Sequence, residues 1–235
     1  MWDNHQTLDL LANWLFVLAA LTAAYLISQW AVHLPLLPLN EVSVRASGSG
    51  ELKHVTREQI AEAVRSGVTG NFFTVDLERT RDAFRKLPWA RNATVRRVWP
   101  QSLDVMLEEH MPLARWGDSS LVSTNGEIFN AASDEELPVF EGPTDSSYEM
   151  VRQHAVFNKL LQPLRQHVAQ ISLSARRAWR IRLKNGTLLE LGREQTETRL
   201  ERYVAVHDQT AALLNQRLSY VDLRYPAGFA ALPAR

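Results

Sequence analysis

The sequence predicts an α+β protein with a single N-terminal transmembrane helix. A β-α-α-β-β unit follows, and then a mostly antiparallel β region interrupted by two helices. Three observations predict this. No Asp, Glu, Lys or Arg occurs from Leu10 to Asn40, so the chain starts with a charge-free apolar run. Between residues 39 and 112, stretches of alternating polarity bracket two stretches with helical spacing. Beyond residue 113, two Asn-Gly pairs each sit between apolar alternations, the strongest short-range hairpin signal.

The first element is LLANWLFVLAALTAAYLISQWA, Leu10 to Ala31. Its length matches the roughly 20 apolar residues that cross a bilayer as a helix. Nine of its residues are Leu, Ile, Val or Phe, and together they favour insertion by on the order of 3 to 5 kcal/mol. Asn13 lies near one end, and Trp14 and Trp30 stand where interfacial tryptophans anchor a span. A cleaved signal peptide needs basic residues before a shorter apolar core. Here Lys and Arg are missing before the run, and apolar residues continue past Thr22-Ala23-Ala24. A core helix of a soluble protein would not be apolar on every face. Residues 1–9 form a short tail. The first Arg is Arg45, while Asp3 and Asp9 precede the helix, so charge counting leaves the orientation open.

Pro35 and Pro38 end the helical pattern and form a stiff link. A strand is predicted over Leu39 to Ser47, where Glu41 and Ser43 alternate with Val42 and Val44. Thr56 and Gln59 form a capping-box signature ahead of Ile60, Ala63 and Val64, which share one helix face. Gly67 and Gly70 close that helix. A second helix is predicted from Asp76 to Leu87, stopped by Pro88. The stretches ATVRRVW and SLDVMLEE then read as a strand pair joined through Pro100-Gln101. Leu103, Val105 and Leu107 face one way, and Asp104, Met106 and Glu108 the other. Pro112 closes this unit.

Residues 113–235 read mostly as β. SLVSTNGEIFNA and WRIRLKNGTLLEL carry the Asn-Gly pairs. Helices are predicted from about Ser147 to Leu164 and from about Glu197 to Asn215. In the second, Leu200, Tyr203, Val204, Ala211 and Leu214 recur at helical spacing. Near the end, Val221, Leu223 and Tyr225 alternate with Asp222 and Arg224, predicting a strand. Pro226-Ala227-Gly228 reads as a turn, and Phe229 to Leu232 as a last short strand that no later element covers. Its terminal position implies that residues 226–235 could be removed at little cost to the fold.

Composition narrows the function. The 235 residues carry 26 basic and 26 acidic side chains, so no bulk attraction to nucleic acid is expected. RTRDAFRK, VRRVW and ARRAWR interleave Arg with aromatics, but the charge balance and the membrane segment argue against nucleic-acid binding. With no cysteine there is no disulfide and no thiolate nucleophile or metal ligand. The seven histidines form no His-x-x-x-His pair with a nearby acid, and no phosphate-binding or nucleophile-elbow motif occurs. Glu108-Glu109 and Asp134-Glu135-Glu136 read as exposed strand or loop positions. The expectation is a protein that is not an enzyme and holds no metal or other cofactor.

GNFFTVDLERTRDAFRKLPWARNATVRRVWPQSLDVMLEEHMPLARWG resembles the POTRA domain and following junction of the bacterial FtsQ/DivIB cell-division family. LVSTNGEIF, LSARRAWRIRLKNG, LELGRE and YVDLRYPAGFA resemble the β domain of that family, in the same order. With the N-terminal helix, the resemblance covers nearly the whole chain. It implies a POTRA domain over 39–112 and a β domain over 113–235, behind a cytoplasmic tail at 1–9 and a membrane helix at 10–31.

The resemblance further implies an essential, non-enzymatic divisome scaffold that links early and late division proteins. It would be a single-pass type II protein of the inner membrane, with its bulk in the periplasm and enriched at the septum. The POTRA domain and membrane helix would face FtsK-, FtsW- and FtsI-type proteins. The β domain would hold FtsB and FtsL, with FtsB adding a strand to the final strand. Matching partner-binding positions are Arg176, Arg224, Tyr225, Gly228 and, in the last strand, Phe229. The arginines would meet partner carboxylates. Pro226-Ala227 replaces a polar pair common in the family, and Pro233 replaces an aromatic found in some members. The competing expectation is another POTRA-bearing component of envelope assembly or secretion. An outer-membrane assembly factor would carry many more uninterrupted dyad-alternating strands than follow Leu113.

Overall fold

A computed structural model describes residues 5–33, 38–48, 50–214, 218–226 and 228–233. The first four residues of the predicted tail, Pro35, Asn215, Ala227 and the last two residues lie outside the described residues. The chain divides into two compact units, residues 1–109 and 110–235.

In the first unit, helix α1 spans His5–His33. Its stretch Asp9–Trp30 has a mean hydropathy of 2.0 and is long enough to cross a membrane. Two of its hydroxyl groups are satisfied locally. The Thr22 hydroxyl donates to the carbonyls of Leu18 and Ala19 at 3.0 and 2.9 Å, and the Ser28 hydroxyl to that of Tyr25 at 2.8 Å. Such back-bonding removes the need for water.

Strand β1 (Glu41–Ala46), helices α2 (Arg57–Gly67) and α3 (Leu77–Arg85), and strands β2 (Ala90–Val98) and β3 (Ser102–Glu109) complete this unit. The sheet order is β1-β3-β2, with β1 parallel and β2 antiparallel to β3. Both halves of the predicted capping box at Thr56 and Gln59 are formed. Asp76 caps α3 by accepting from the Glu78 and Arg79 N–H groups at 3.0 Å each. The helices approach closely at Gly67, where a Cβ would lie 2.6 Å from that of Ala83. Leu103, Val105 and Leu107 on the central strand are fully buried with Phe84.

Asp104, on the strand face opposite these three, is buried as well. Its carboxylate accepts from Arg45 on one neighbouring strand (3.0 and 2.6 Å) and from Arg96 on the other (2.8 Å). These bonds hold its pKa below the usual carboxylate value, with Arg45 the larger cause.

The second unit holds β4 (Pro112–Trp116), β5 (Ser120–Ser123), β6 (Ile128–Phe129), β7 (Val139–Glu141), α4 (Ser147–Leu161), β8 (Val168–Leu173), β9 (Trp179–Leu183), β10 (Leu188–Gly192), α5 (Thr196–Leu214), β11 (Leu218–Asp222) and β12 (Ala230–Pro233). Its sheet runs β12-β11-β10-β9-β8-β7-β4-β5-β6. The β10–β11, β4–β7 and β7–β8 pairings are parallel and the rest antiparallel. Gly126 and Gly186, the second residues of the Asn-Gly pairs, have φ of +84° and +92° and donate their N–H groups to the Ser123 and Leu183 carbonyls at 2.9 Å each, so each hairpin closes through a turn that ends in a left-handed glycine. Trp179, Ile181 and Leu183 are buried in the core with Phe157, Leu161, Leu200 and Tyr203 of α4 and α5, while Arg180 and Arg182 alternate outward.

Candidate partner-binding site

The two strands predicted at the end of the chain are both present, as β11 and β12 with a loop between them, but the first is shorter than predicted. Strand β11 stops at Asp222, so Tyr225 leaves the ladder and is 54% exposed instead of sharing the buried face of Val221 and Leu223. The guanidinium of Arg202, on α5, donates to the carbonyls of Tyr225 and Pro226 and so fixes this loop. Strand β12 then returns antiparallel, pairing Tyr220 with Leu232, Val221 with Ala231 and Asp222 with Ala230.

The direction of each backbone group follows from the ladder. Leu223 N–H donates to the Glu190 carbonyl at 2.9 Å. By two-residue alternation Val221 also faces β10, and Tyr220 and Asp222 face β12. Their opposite residues, Ala230 and Leu232, therefore direct N–H and C=O inward. Ala231 directs both outward. β12 is the last strand in the sheet order, so the outward side of Ala231 meets no strand among the described residues. The Ala230 N–H thus points inward, to β11.

Side chains follow a different division. Phe229 and Ala231 pack on the core, with the Phe229 ring edge-on to Tyr203 at 6.1 Å. Leu232 stands 59% exposed. Phe229 to Pro233 are therefore part of the fold and less separable than their position near the end of the sequence implies. Tyr203 is fully buried and its hydroxyl has no hydrogen-bond partner among the described residues. Burial pushes its pKa up to about 12. Gly228 has open space around its Cα and no left-handed φ, so nothing inside the chain requires glycine there.

Arg176 and Arg224, distant in sequence, line one open cleft of about 440 Å³ with Arg193, Arg199, Glu194 and Gly192. It lies where β9 begins and β10 and β11 end. Asp222 accepts from Arg224 through the backbone N–H (3.0 Å), Nε (2.8 Å) and Nη2 (2.6 Å). The Arg224 side chain stays exposed while the Asp222 carboxylate is mostly covered. That pairing lowers the Asp222 pKa and raises that of Arg224. Arg224 is thus held in one orientation by Asp222. Arg199 donates to the Leu191 carbonyl at 2.6 Å. Gly192 has φ of +80°, and a Cβ there would lie 2.7 Å from Arg199 Nη1 and 3.2 Å from Arg224 Cγ.

Arg193, Arg199 and Gly192 were not singled out from the sequence. The alternation Asp222-x-Arg224 places both side chains on one strand face and is the signal from which the clamp was readable. Arg177, next to Arg176, turns away at φ +60° and pairs with Asp145 (2.7 Å) and Glu149 (3.0 Å).

A β-α-α-β-β unit and a nine-stranded mixed sheet, following one candidate membrane span in the chain, define a two-unit α+β protein. Residues 37–110 match the POTRA domain of FtsQ type, and residues 114–224 match the C-terminal region of the cell division protein FtsQ/DivIB. The chain is 65% identical to cell division protein FtsQ of Nitrosospira multiformis, covering 100% of each. It is 39% identical to that of Burkholderia pseudomallei, over 98% of this chain and 93% of the relative. The FtsQ of Bordetella pertussis is 36% identical over 98% and 92%. The chain belongs to the FtsQ/DivIB family of cell-division proteins.

Proposed function

We propose that this protein is a non-enzymatic divisome scaffold of the inner membrane that holds FtsB and FtsL through the terminal edge of its second unit. Residues 1–9 are the cytoplasmic tail, 10–31 the span, 39–112 the POTRA domain and 113–235 the β domain, the last two periplasmic and enriched at the septum. FtsK-, FtsW- and FtsI-type proteins meet the POTRA domain and membrane helix. The observation that carries the reading is the outward-facing N–H and C=O of Ala231 on the last strand. An extended segment of FtsB satisfies such groups by strand addition and covers Tyr225 and Leu232, both exposed. Arg176 and Arg224, gathered in one cleft, suit carboxylates carried by that same segment.

The test is photocrosslinking from the full chain in dividing cells, with the probe at Leu232, Tyr225 or, as a control, Asp134. Adducts with FtsB from positions 232 and 225 and not from 134 are expected. Equal yields from all three positions, or adducts that exclude FtsB, overturn the reading.

A further inference from the structure

One end of the first unit carries an aromatic patch that the partner-binding reading does not use. Strand β1 is parallel to β3, so Glu41 and Ser102 lie at the same end. The Asn40 N–H donates to the Gln101 carbonyl at 3.0 Å, and the Asn40 amide to Gln101 Oε1 at 2.6 Å. The β2–β3 turn therefore sits beside the point where the chain enters from α1. The turn after α2 is pinned to this end too, because the Arg97 guanidinium donates to the carbonyls of Phe72 (2.9 Å), Val75 (2.8 Å) and Phe73 (3.3 Å). Asn71 Oδ1 accepts from the Phe73 and Thr74 N–H groups at 3.0 and 2.9 Å.

The result is a fixed aromatic row. Phe72 is buried, with Phe73 edge-on to it at 5.4 Å and Trp99 at 5.9 Å. Trp99 is 70% exposed, Phe73 50% and Val98 39%. The opposite end of this unit, where Glu109 accepts from the N–H groups of Lys53, His54 and Val55, is polar.

We propose that Trp99, Val98 and Phe73 lie at headgroup level in the bilayer that α1 crosses, docking this end of the POTRA unit on lipid. Six residues lie between His33 and Asn40, and the seven chain steps reach at most about 25 Å fully extended. That tether confines the patch to the membrane surface, and tryptophan is the side chain most suited to that layer. The proposal rests on α1 being a membrane span.

Because the chain has no cysteine, one introduced thiol gives a unique label. Full-length Phe73→Cys, Lys53→Cys and Leu21→Cys variants, each spin-labelled, are placed in bilayer discs of phosphatidylethanolamine and phosphatidylglycerol. Collision rates with oxygen and with a water-soluble nickel complex are then measured. The oxygen-to-nickel ratio at position 73 is expected to exceed that at position 53 several-fold, and to fall to the position-53 value when Trp99→Asp is added. A lipid signal at position 21 with an aqueous signal at 73 overturns the docking while leaving the span intact. An aqueous signal at position 21 overturns both. Shielding of position 73 from both reagents that needs another division protein assigns the patch to protein contact and overturns the lipid reading.

Discussion

Replacing Ala231 by proline tests the direction of the last strand's backbone. The Ala231 N–H points away from β11, so the substitution removes no bond from the β11–β12 ladder. The fold should tolerate it within about 1 kcal/mol, as edge prolines generally are. On the docking side it deletes one backbone hydrogen bond, worth roughly 0.5–1.5 kcal/mol. It also puts a ring where the partner carbonyl must approach. A loss of at least about 1.4 kcal/mol, or tenfold in affinity, is expected. Ala230→Pro acts in the opposite sense. It breaks an inward bond and leaves the Asp222 carbonyl short of a donor, which destabilises the fold by about 1–3 kcal/mol. The full chain in bilayer discs is titrated calorimetrically with the periplasmic FtsB/FtsL pair, and thermal melts are run in parallel. Native affinity in Ala231→Pro refutes strand addition, and equal destabilisation by both variants refutes the assigned alternation.

Arg176→Glu should weaken binding of the pair at least tenfold without lowering stability, and reversal of an acidic partner residue should restore part of it. Arg224→Glu should do both, because it sets a second carboxylate against Asp222. Asp222→Asn is expected to lose about 1–2 kcal/mol by denaturant melts, since Arg224 is more than half exposed and the pair is partly screened. The Asp222 pKa is lowered in the fold, so its contribution is complete above the unfolded value of about 3.9. It is lost as pH falls through the lower folded value, and the Asn variant should lack that part of the acid-side decline. Gly192→Ala, strained by its positive φ and by Arg199, should cost about 1–2 kcal/mol and weaken partner binding in the same titration. Exchange of residues 1–31 for an unrelated spanning helix should leave septal fluorescence intact, and its loss with normal membrane content would refute a purely anchoring role.

Elements fixed by neighbours in sequence were legible. Thr56 and Gln59 announce α2, and the Asn-Gly pairs announce two hairpins, because those signals act within a few residues. Alternation sets Asp104 opposite Leu103, Val105 and Leu107, yet it is buried too because Arg45 and Arg96 reach it from both flanking strands. That depends on strand order, which no local pattern encodes. β7 escaped notice because its three residues make parallel pairings to strands far away in the chain. Of the candidate site, the arginines and the uncovered last strand were readable. The clustering of Arg193 and Arg199 with Arg176 and Arg224 was not, since it needs three strand ends brought level. The outward turn of Ala231 needed a ladder that runs through Glu190.

Both margins of the long sheet are brief. β6 has two residues, and β12 has four and ends in Pro233, which has no N–H to offer. A second copy of this chain laid against either margin finds too few backbone groups to template growth, so the sheet resists polymerising with itself. The same brevity means that an added strand grips weakly through its backbone alone. Discrimination then falls to side chains around it, and a visitor lacking acids for the arginine cleft should dissociate quickly.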